Sequence, residues 1–552
     1  MSFFQYWLLL LWILVGACLR FTNLELLPPW TDESATMVFS LGNSFYDVPL
    51  NQFVTLSTLM EPLQLNPSAG IHDVTQLLLT ESTHPPLYFA LTHLWLKLFP
   101  SVDGLVFLWG ARSLSAGLGV LTIPAIFYFA RLTSSSLVIS QIAAAIMAIS
   151  PFGIFLGMQA RHYTLVILLI IASLSCFVWT FRCLKQGQSI PFWVVVIWIA
   201  INALGVAVHY FFVLSLTAMA IAFLPLIWLN WQVLFKPQWR RLYIVALGSL
   251  VGCLVWLPSL LAVKDSSPTD WIYASNAAQR WLEPIGRFLL WLMSTTILLP
   301  SSLYDFSLPI IIGAGIITLS FWLWYLPQII RGINWQRQRI DNQSGATALV
   351  NYLIAAIALF FGFTYILGMD LTLAGRFQFV YFPVVIVLIA IGLGQIWSQN
   401  SSTYSKRLVA LFLTISFGSG IVANLNRGYL QNHRPDLAIA QIAEGSTAPI
   451  AIVTTYRHHG QTGRMIGLAW GLRNLPQIDS AQFFLARENP EPSEENSGLI
   501  LSQQLRELTR PLDLWLVNFR GDVELESQNC LPDSQYRGML GQYKYRLYRC
   551  QD

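Results

Sequence analysis

The chain has 552 residues, 55% of them hydrophobic and only 11% charged, with a formal net charge of +4 and a mean hydropathy of +0.56. Soluble domains carry roughly 25% charged residues, so one large soluble protein is excluded, and so small a net charge carries no nucleic-acid footprint. Several runs reach the ~20 apolar residues that a bilayer requires, and a mainly α-helical, polytopic membrane protein is expected.

Phe3 to Phe21 is the first apolar run. No Lys or Arg precedes it, so the charged start of a cleavable signal is missing, and an uncleaved first span is expected. Thr22 to Leu96 follows with seven acids and no Lys or Arg. Cytoplasmic loops are enriched in Lys and Arg, which assigns this loop to the outer face and the N-terminus to the cytoplasm. Within it, Leu27 to Gly42 reads LPPWTDESATMVFSLG. Two prolines halt what precedes them, and Thr31 or Asp32 is expected to cap a short helix with Asp32 and Glu33 in its first turn. Ionised carboxylates at the lip of a membrane are costly without a partner or a task.

His84-Pro85-Pro86-Leu87 opens a short apolar helix ending near Phe99, either a thin span or an interfacial helix. If it lies flat, successive spans alternate: Arg112–Arg131, Leu137–Leu156, Thr164–Cys183, Phe192–Val208, Phe211–Leu229, Leu242–Val263, Leu308–Gln328, Val350–Leu367, a return starting at Arg376, and Leu408–Ala423. Phe288–Leu299 is a second short helix. Arg182, Lys185, Lys236, Arg240, Arg241, Arg331 and Arg337 then fall on the cytoplasmic side, as the positive-inside rule requires. The count is about eleven full spans plus two interfacial helices, or thirteen if both short helices cross.

From about Asn426 the composition becomes that of a soluble domain. The expected division is a membrane domain over 1–425, with its first outer loop at 22–111, and a small extracytoplasmic α/β or α+β domain over 426–552. Pro449–Thr455 and Asp513–Phe519 read as buried strands, Gly463–Leu472 and Leu499–Leu508 as helices, and Tyr545–Arg549 as an edge strand. Arg487–Ser497 reads as a flexible loop. Cys530 and Cys550 can pair if the tail is extracytoplasmic.

This topology gathers Asp32, Glu33, His84, Arg161, His162, Tyr163, His209, Tyr210 and Arg376 on one side of the membrane, mostly at span ends. Carboxylates opposite several cations suit transfer from an anionic lipid-linked donor to a hydroxyl. A carboxylate takes the acceptor's proton as general base, and Arg and His neutralise a departing phosphate.

The acidic pair after the first span, His84-Pro85-Pro86-Leu87, Gln159-Ala160-Arg161-His162-Tyr163, and Gly375-Arg376-Phe377 before an apolar span together resemble the GT-C glycosyltransferases. The group most resembled is glycosyltransferase family 39, that of protein O-mannosyltransferases, aminoarabinose transferases and their bacterial relatives. The resemblance spans roughly Leu8 to Ala423, and the tail carries no comparable signature. It implies inverting transfer of a sugar from a polyprenyl-phosphate donor on the outer face of the cell membrane, to a lipid, glycan or protein acceptor. Asp32 matches the family's catalytic acid and Glu33 its companion. His84, Arg161, His162, Tyr163, His209 and Arg376 are expected to bind the donor phosphate or substrate. Some GT-C enzymes hold a divalent metal between the first two outer loops. Here the second loop offers Arg and His and no carboxylate, so neither metal nor cofactor is expected.

Each residue also has a plain structural role. Asp32 can cap its helix, His84 can sit in a turn, Arg161 can snorkel to lipid phosphate, and Tyr163 can join an aromatic belt. His162 and His209 can be packed imidazoles, Arg376 can anchor a span end, and His458-His459 can lie in a solvated loop. The rival functions are a transporter or lipid flippase, and a lipid-carrier-dependent glycan polymerase or ligase. A transporter places ionisable groups near mid-membrane and uses repeated, broken helices. This chain keeps its charges at span ends and shows no repeat.

Overall fold

The computed structural model describes residues 3–82, 84–229, 231–264, 270–273, 280–298, 306–338, 343–399, 403–428, 430, 433–475, 480–488 and 497–551. Most of the loop expected over Arg487–Ser497 lies outside them. The chain divides into two units: Met1–Leu24, Thr83–Tyr88 and Arg112–Leu430 form the first, and Glu25–Ser82, Phe89–Ala111 and Gln431–Asp552 the second.

The first unit is helical. Among the described residues five helices are long and apolar enough to cross a membrane: Leu108–Ser134, Tyr163–Lys185, Leu308–Gln338, Ser344–Tyr365 and Thr403–Asn424. A sixth candidate is bent. The span expected over Leu137–Leu156 is two helices, Leu137–Ile149 and Pro151–Gly157, meeting at 53°. Pro151 has no N–H to continue the first helix, and the Ser150 hydroxyl caps the second by accepting from Gly153 N–H at 3.1 Å. Buried Arg20 lies at this break. Its guanidinium donates to Met147 O and Ala148 O, each at 2.8 Å, and to Gly16 O at 3.1 Å. Carbonyls orphaned at a helix end thus find a cation. Shorter apolar helices include Gln5–Phe21, Phe192–Val208, Phe212–Trp228 and Phe382–Ser398.

The second unit holds a six-stranded sheet of order β1-β3-β2-β4-β6-β5: Phe53–Thr55, Ile450–Tyr456, Gln482–Arg487, Leu512–Val517, Cys530–Leu540 and Tyr543–Cys550, numbered along the chain. β3, β2 and β4 are parallel; β1, β6 and β5 join antiparallel. Every residue of β2 and β4 is buried, which is why they read as continuous apolar runs. Ala451, Val453, Phe484, Leu501 and Leu514 lie in the core on one face. The edge strand expected at Tyr545–Arg549 is interior: β6 lies between β4 and β5, and its alternation records unequal covering of its two faces. β1, from the first outer loop, pairs with β3, from the tail. The compositional boundary near 426 therefore does not separate the loop from the tail domain; they share one sheet. Cys530 and Cys550 face each other across β5 and β6 and form a disulfide.

Candidate active site

In the second unit, the Thr31–Ser40 helix carries the acidic pair. Its N-cap is Trp30, not Thr31 or Asp32. Trp30 is extended (φ −90°, ψ 172°), and Trp30 O accepts the first helical bond, from Ser34 N–H at 3.0 Å. Glu33 is buried, and its carboxylate accepts from Trp30 N–H at 3.4 Å, half of a capping box. Asp32 is only partly buried. Trp30 stacks on His433 at 5.4 Å.

In the first unit, Arg161 and His162 occupy the turn between the Pro151–Gly157 and Tyr163–Lys185 helices. Ser115 Oγ donates to Arg161 O at 2.6 Å and faces Tyr88 Oη at 2.8 Å. Arg161 Nη2 lies 3.1 Å from His84 Nε2. Arginine has no acceptor, so it donates, and His84 Nε2 bears the lone pair. His209, ending the Phe192–Val208 helix, accepts from Phe211 N–H on Nδ1 at 3.0 Å. The rings of His84 and His162 are 5.9 Å apart, those of His162 and His209 4.6 Å, and those of His162 and Tyr163 4.7 Å.

His162 is buried, and neither ring nitrogen has a hydrogen-bond partner among the described residues. Burial holds its pKa well below the ordinary imidazole value, with Arg161, His209, His84 and Arg376 acting in the same direction. His209 is held down likewise by burial, then by His84, Arg161 and Arg376.

Arg376 is the second residue of the 3-10 turn Gly375–Val380. Its guanidinium lies over the Trp271 ring at 5.3 Å and the Phe377 ring at 5.6 Å, a cation–π arrangement. Phe379 of the same turn packs on His209 at 4.8 Å.

The structure thus gathers His84, Arg161, His162, Tyr163 and His209, with Arg376 electrostatically coupled to two of them. Asp32 and Glu33 belong to the other unit. Compared with solved structures, the chain is similar to ArnT from Cupriavidus metallidurans in the apo state, over 99% of this chain and 98% of that one, at 12% identity and a TM-score of 0.50. The chain has the GT-C fold.

ArnT from the same organism bound to undecaprenyl phosphate aligns over 98% of this chain and 97% of that one, at 13% identity and a TM-score of 0.49. An Archaeoglobus fulgidus oligosaccharyltransferase in complex with Zn and sulfate aligns over 98% and 72%, at 13% identity and a TM-score of 0.49. No family model matches the sequence, and no curated protein does. The GT-C fold makes this a polytopic membrane protein.

Several supports of the GT-C site escaped the sequence reading. Buried Asp370 accepts from Thr372 N–H at 3.0 Å and from Arg287 Nη2 at 2.6 Å. Trp291 Nε1 donates to Thr372 O at 2.9 Å, and a Cβ on Gly375 would stand 2.8 Å from the Trp291 ring. Together these fix the loop that delivers Arg376. Arg287 and Trp291 lie on the Leu282–Ser294 helix, whereas the short interfacial helix was expected only from Phe288, so nothing local marked Arg287.

Proposed function

We propose that the chain is an integral-membrane glycosyltransferase, moving a sugar from a polyprenyl-phosphate donor to an acceptor hydroxyl on the extracytoplasmic face of the cell membrane, with inversion. The observation that carries this reading is the cluster of buried Arg161 and His162 with part-buried His84 and His209. In it both ring nitrogens of His162 have no hydrogen-bond partner among the described residues. A buried imidazole N–H without a partner is a ready donor to an anionic oxygen. In a chain of GT-C fold, a donor phosphate fits that description.

In this reading Asp32 takes the proton from the acceptor hydroxyl. The acceptor oxygen bonds to the anomeric carbon while the bond from that carbon to the phosphate oxygen breaks, through an oxocarbenium-like transition state. The polyprenyl phosphate leaves against Arg161 and Arg376, with His84, His162, Tyr163 and His209 orienting it. Glu33, buried and tied to Trp30 N–H, holds the helix that carries Asp32. No metal is assigned, because the second outer loop offers no carboxylate. The family 39 affiliation and the eleven-span topology belong to this reading and rest on motif order and loop charge. The Cys530–Cys550 disulfide supports an extracytoplasmic tail, since such bonds persist in oxidising compartments.

The test compares envelope glycolipids and glycans by mass spectrometry in cells with and without the protein. A glycosylated product that vanishes without the chain, and with Asp32→Asn in correctly inserted protein, is expected. An undiminished product with Asp32→Asn overturns Asp32 as the base.

A further inference from the structure

Four glycines of the His459–Leu472 helix lie at positions 460, 463, 467 and 471, spacings that put them on one helical face. That face meets the backbone leading to Asp32. A Cβ on Gly467 would stand 2.5 Å from Pro29 O, and one on Gly463 would stand 3.2 Å from Thr31 O. One on Gly471 would stand 3.1 Å from Pro28 Cγ. Backbone carbonyls do not yield as flexible side chains do, so any side chain at 467 displaces the Pro28–Thr31 segment. At the start of the same helix, the His459 ring stacks on Phe45 at 5.5 Å and 14° and meets Phe39 edge-on at 5.9 Å. Phe39 lies two turns after Asp32 on its helix. All these residues belong to the second unit.

We propose that the His459–Leu472 helix of the tail is the positioning element for Asp32. Its glycine face seats the proline-led approach, and His459 fixes the helix through Phe39 and Phe45. His459 acts by the shape of its ring, as a positioning residue and not a catalytic one. The inference rests on the reading of Asp32 as the base. It gives a role to a domain that carries no recognisable motif.

The experiment uses the full-length chain with Gly467→Ala, His459→Ala and His459→Phe, beside Asp32→Asn. Three quantities are measured: the glycosylated product in cells, binding of undecaprenyl phosphate to purified protein, and amide hydrogen exchange over residues 31–40 and 159–164. A misplacement near 1 Å costs on the order of 100-fold in rate. Gly467→Ala and His459→Ala are therefore expected to lower the product about 10- to 100-fold and to speed exchange over 31–40. Undecaprenyl phosphate binding and exchange over 159–164 should stay at wild-type levels, and His459→Phe should keep most of the product. Unchanged product in Gly467→Ala and His459→Ala, with Asp32→Asn inactive, overturns the inference and leaves the base intact. Product loss in both His459 variants without faster exchange assigns imidazole chemistry and overturns positioning. Weakened undecaprenyl phosphate binding together with faster exchange in both segments marks general unfolding and also overturns it. Full activity in Asp32→Asn removes the base and the inference together.

Discussion

His162 is buried with both ring nitrogens unpaired, a condition that costs about 1–3 kcal/mol relative to a satisfied or apolar group. Replacing it by Phe removes the orphaned atoms and keeps a ring of similar shape. Stability and activity should then part: His162→Phe is expected to stabilise the protein by about 1 kcal/mol, read as a higher unfolding midpoint in detergent, and to lose the glycosylated product. A fall in both would make His162 an ordinary core residue. At this scale residue types and motif order sufficed to list Arg161 and His162 together. It could not separate Asp32 from Glu33, because adjacent helical positions differ only in direction. Burial separates them: Glu33 is enclosed and bonded to Trp30 N–H, whereas Asp32 keeps an open side. Asp370 was illegible for another reason. Its partner Arg287 is 83 residues away, and no local pattern announces such a pair.

The helix that starts at His459 makes a pH dependence. Burial pushes the His459 pKa down from 6.5 to about 4, helped by His458 and opposed by Asp32. The unfolded chain then takes up a proton near pH 6.5, while the folded one resists until about pH 4. Stability therefore falls as pH drops through that window and levels off below it, by at most on the order of 3 kcal/mol. His459→Phe should flatten this slope, as measured by unfolding midpoints at successive pH values; an unchanged slope would place its origin elsewhere. Among elements, those with long single-period patterns were legible: the expected Thr164–Cys183 and Leu408–Ala423 are observed as Tyr163–Lys185 and Thr403–Asn424. The bend after Ile149 was missed because the apolar run resumes directly after Ser150-Pro151, so its averaged hydropathy stays high although Pro151 marks the break. β1 has three residues, too few for any periodicity, and it forms because β3 offers an edge. β6 was mistaken for an edge strand because alternation reports which side chains are covered, not how many neighbours the strand has.

At the scale of the whole molecule, the Cys530–Cys550 bridge closes a segment of sequence separation 20 and ties β5 to β6. By loop-closure entropy such a link contributes about 3 kcal/mol. Replacing both cysteines by Ser is expected to lower the unfolding midpoint of the full chain, and reductant should reproduce the shift in the wild-type protein and not in the double variant. The polytopic helical fold of GT-C type was readable from composition and motif order. The union of the first loop with the tail was not, since two stretches separated by most of the chain leave no joint signature.

The pairing of β1 with β3 also sets an order of assembly. Asn51 Oδ1, which accepts from Arg487 N–H, precedes it by 436 positions. At ~5–20 residues per second, the ribosome delivers the second partner roughly 20–90 s after the first. Throughout that interval the segment bearing Asp32 is without its glycine-lined seat. On the proposed reading, Asp32 is among the first groups to be synthesised and the last to be set in place, and a chain terminated before the His459–Leu472 helix is expected to bind undecaprenyl phosphate and to form no glycosylated product.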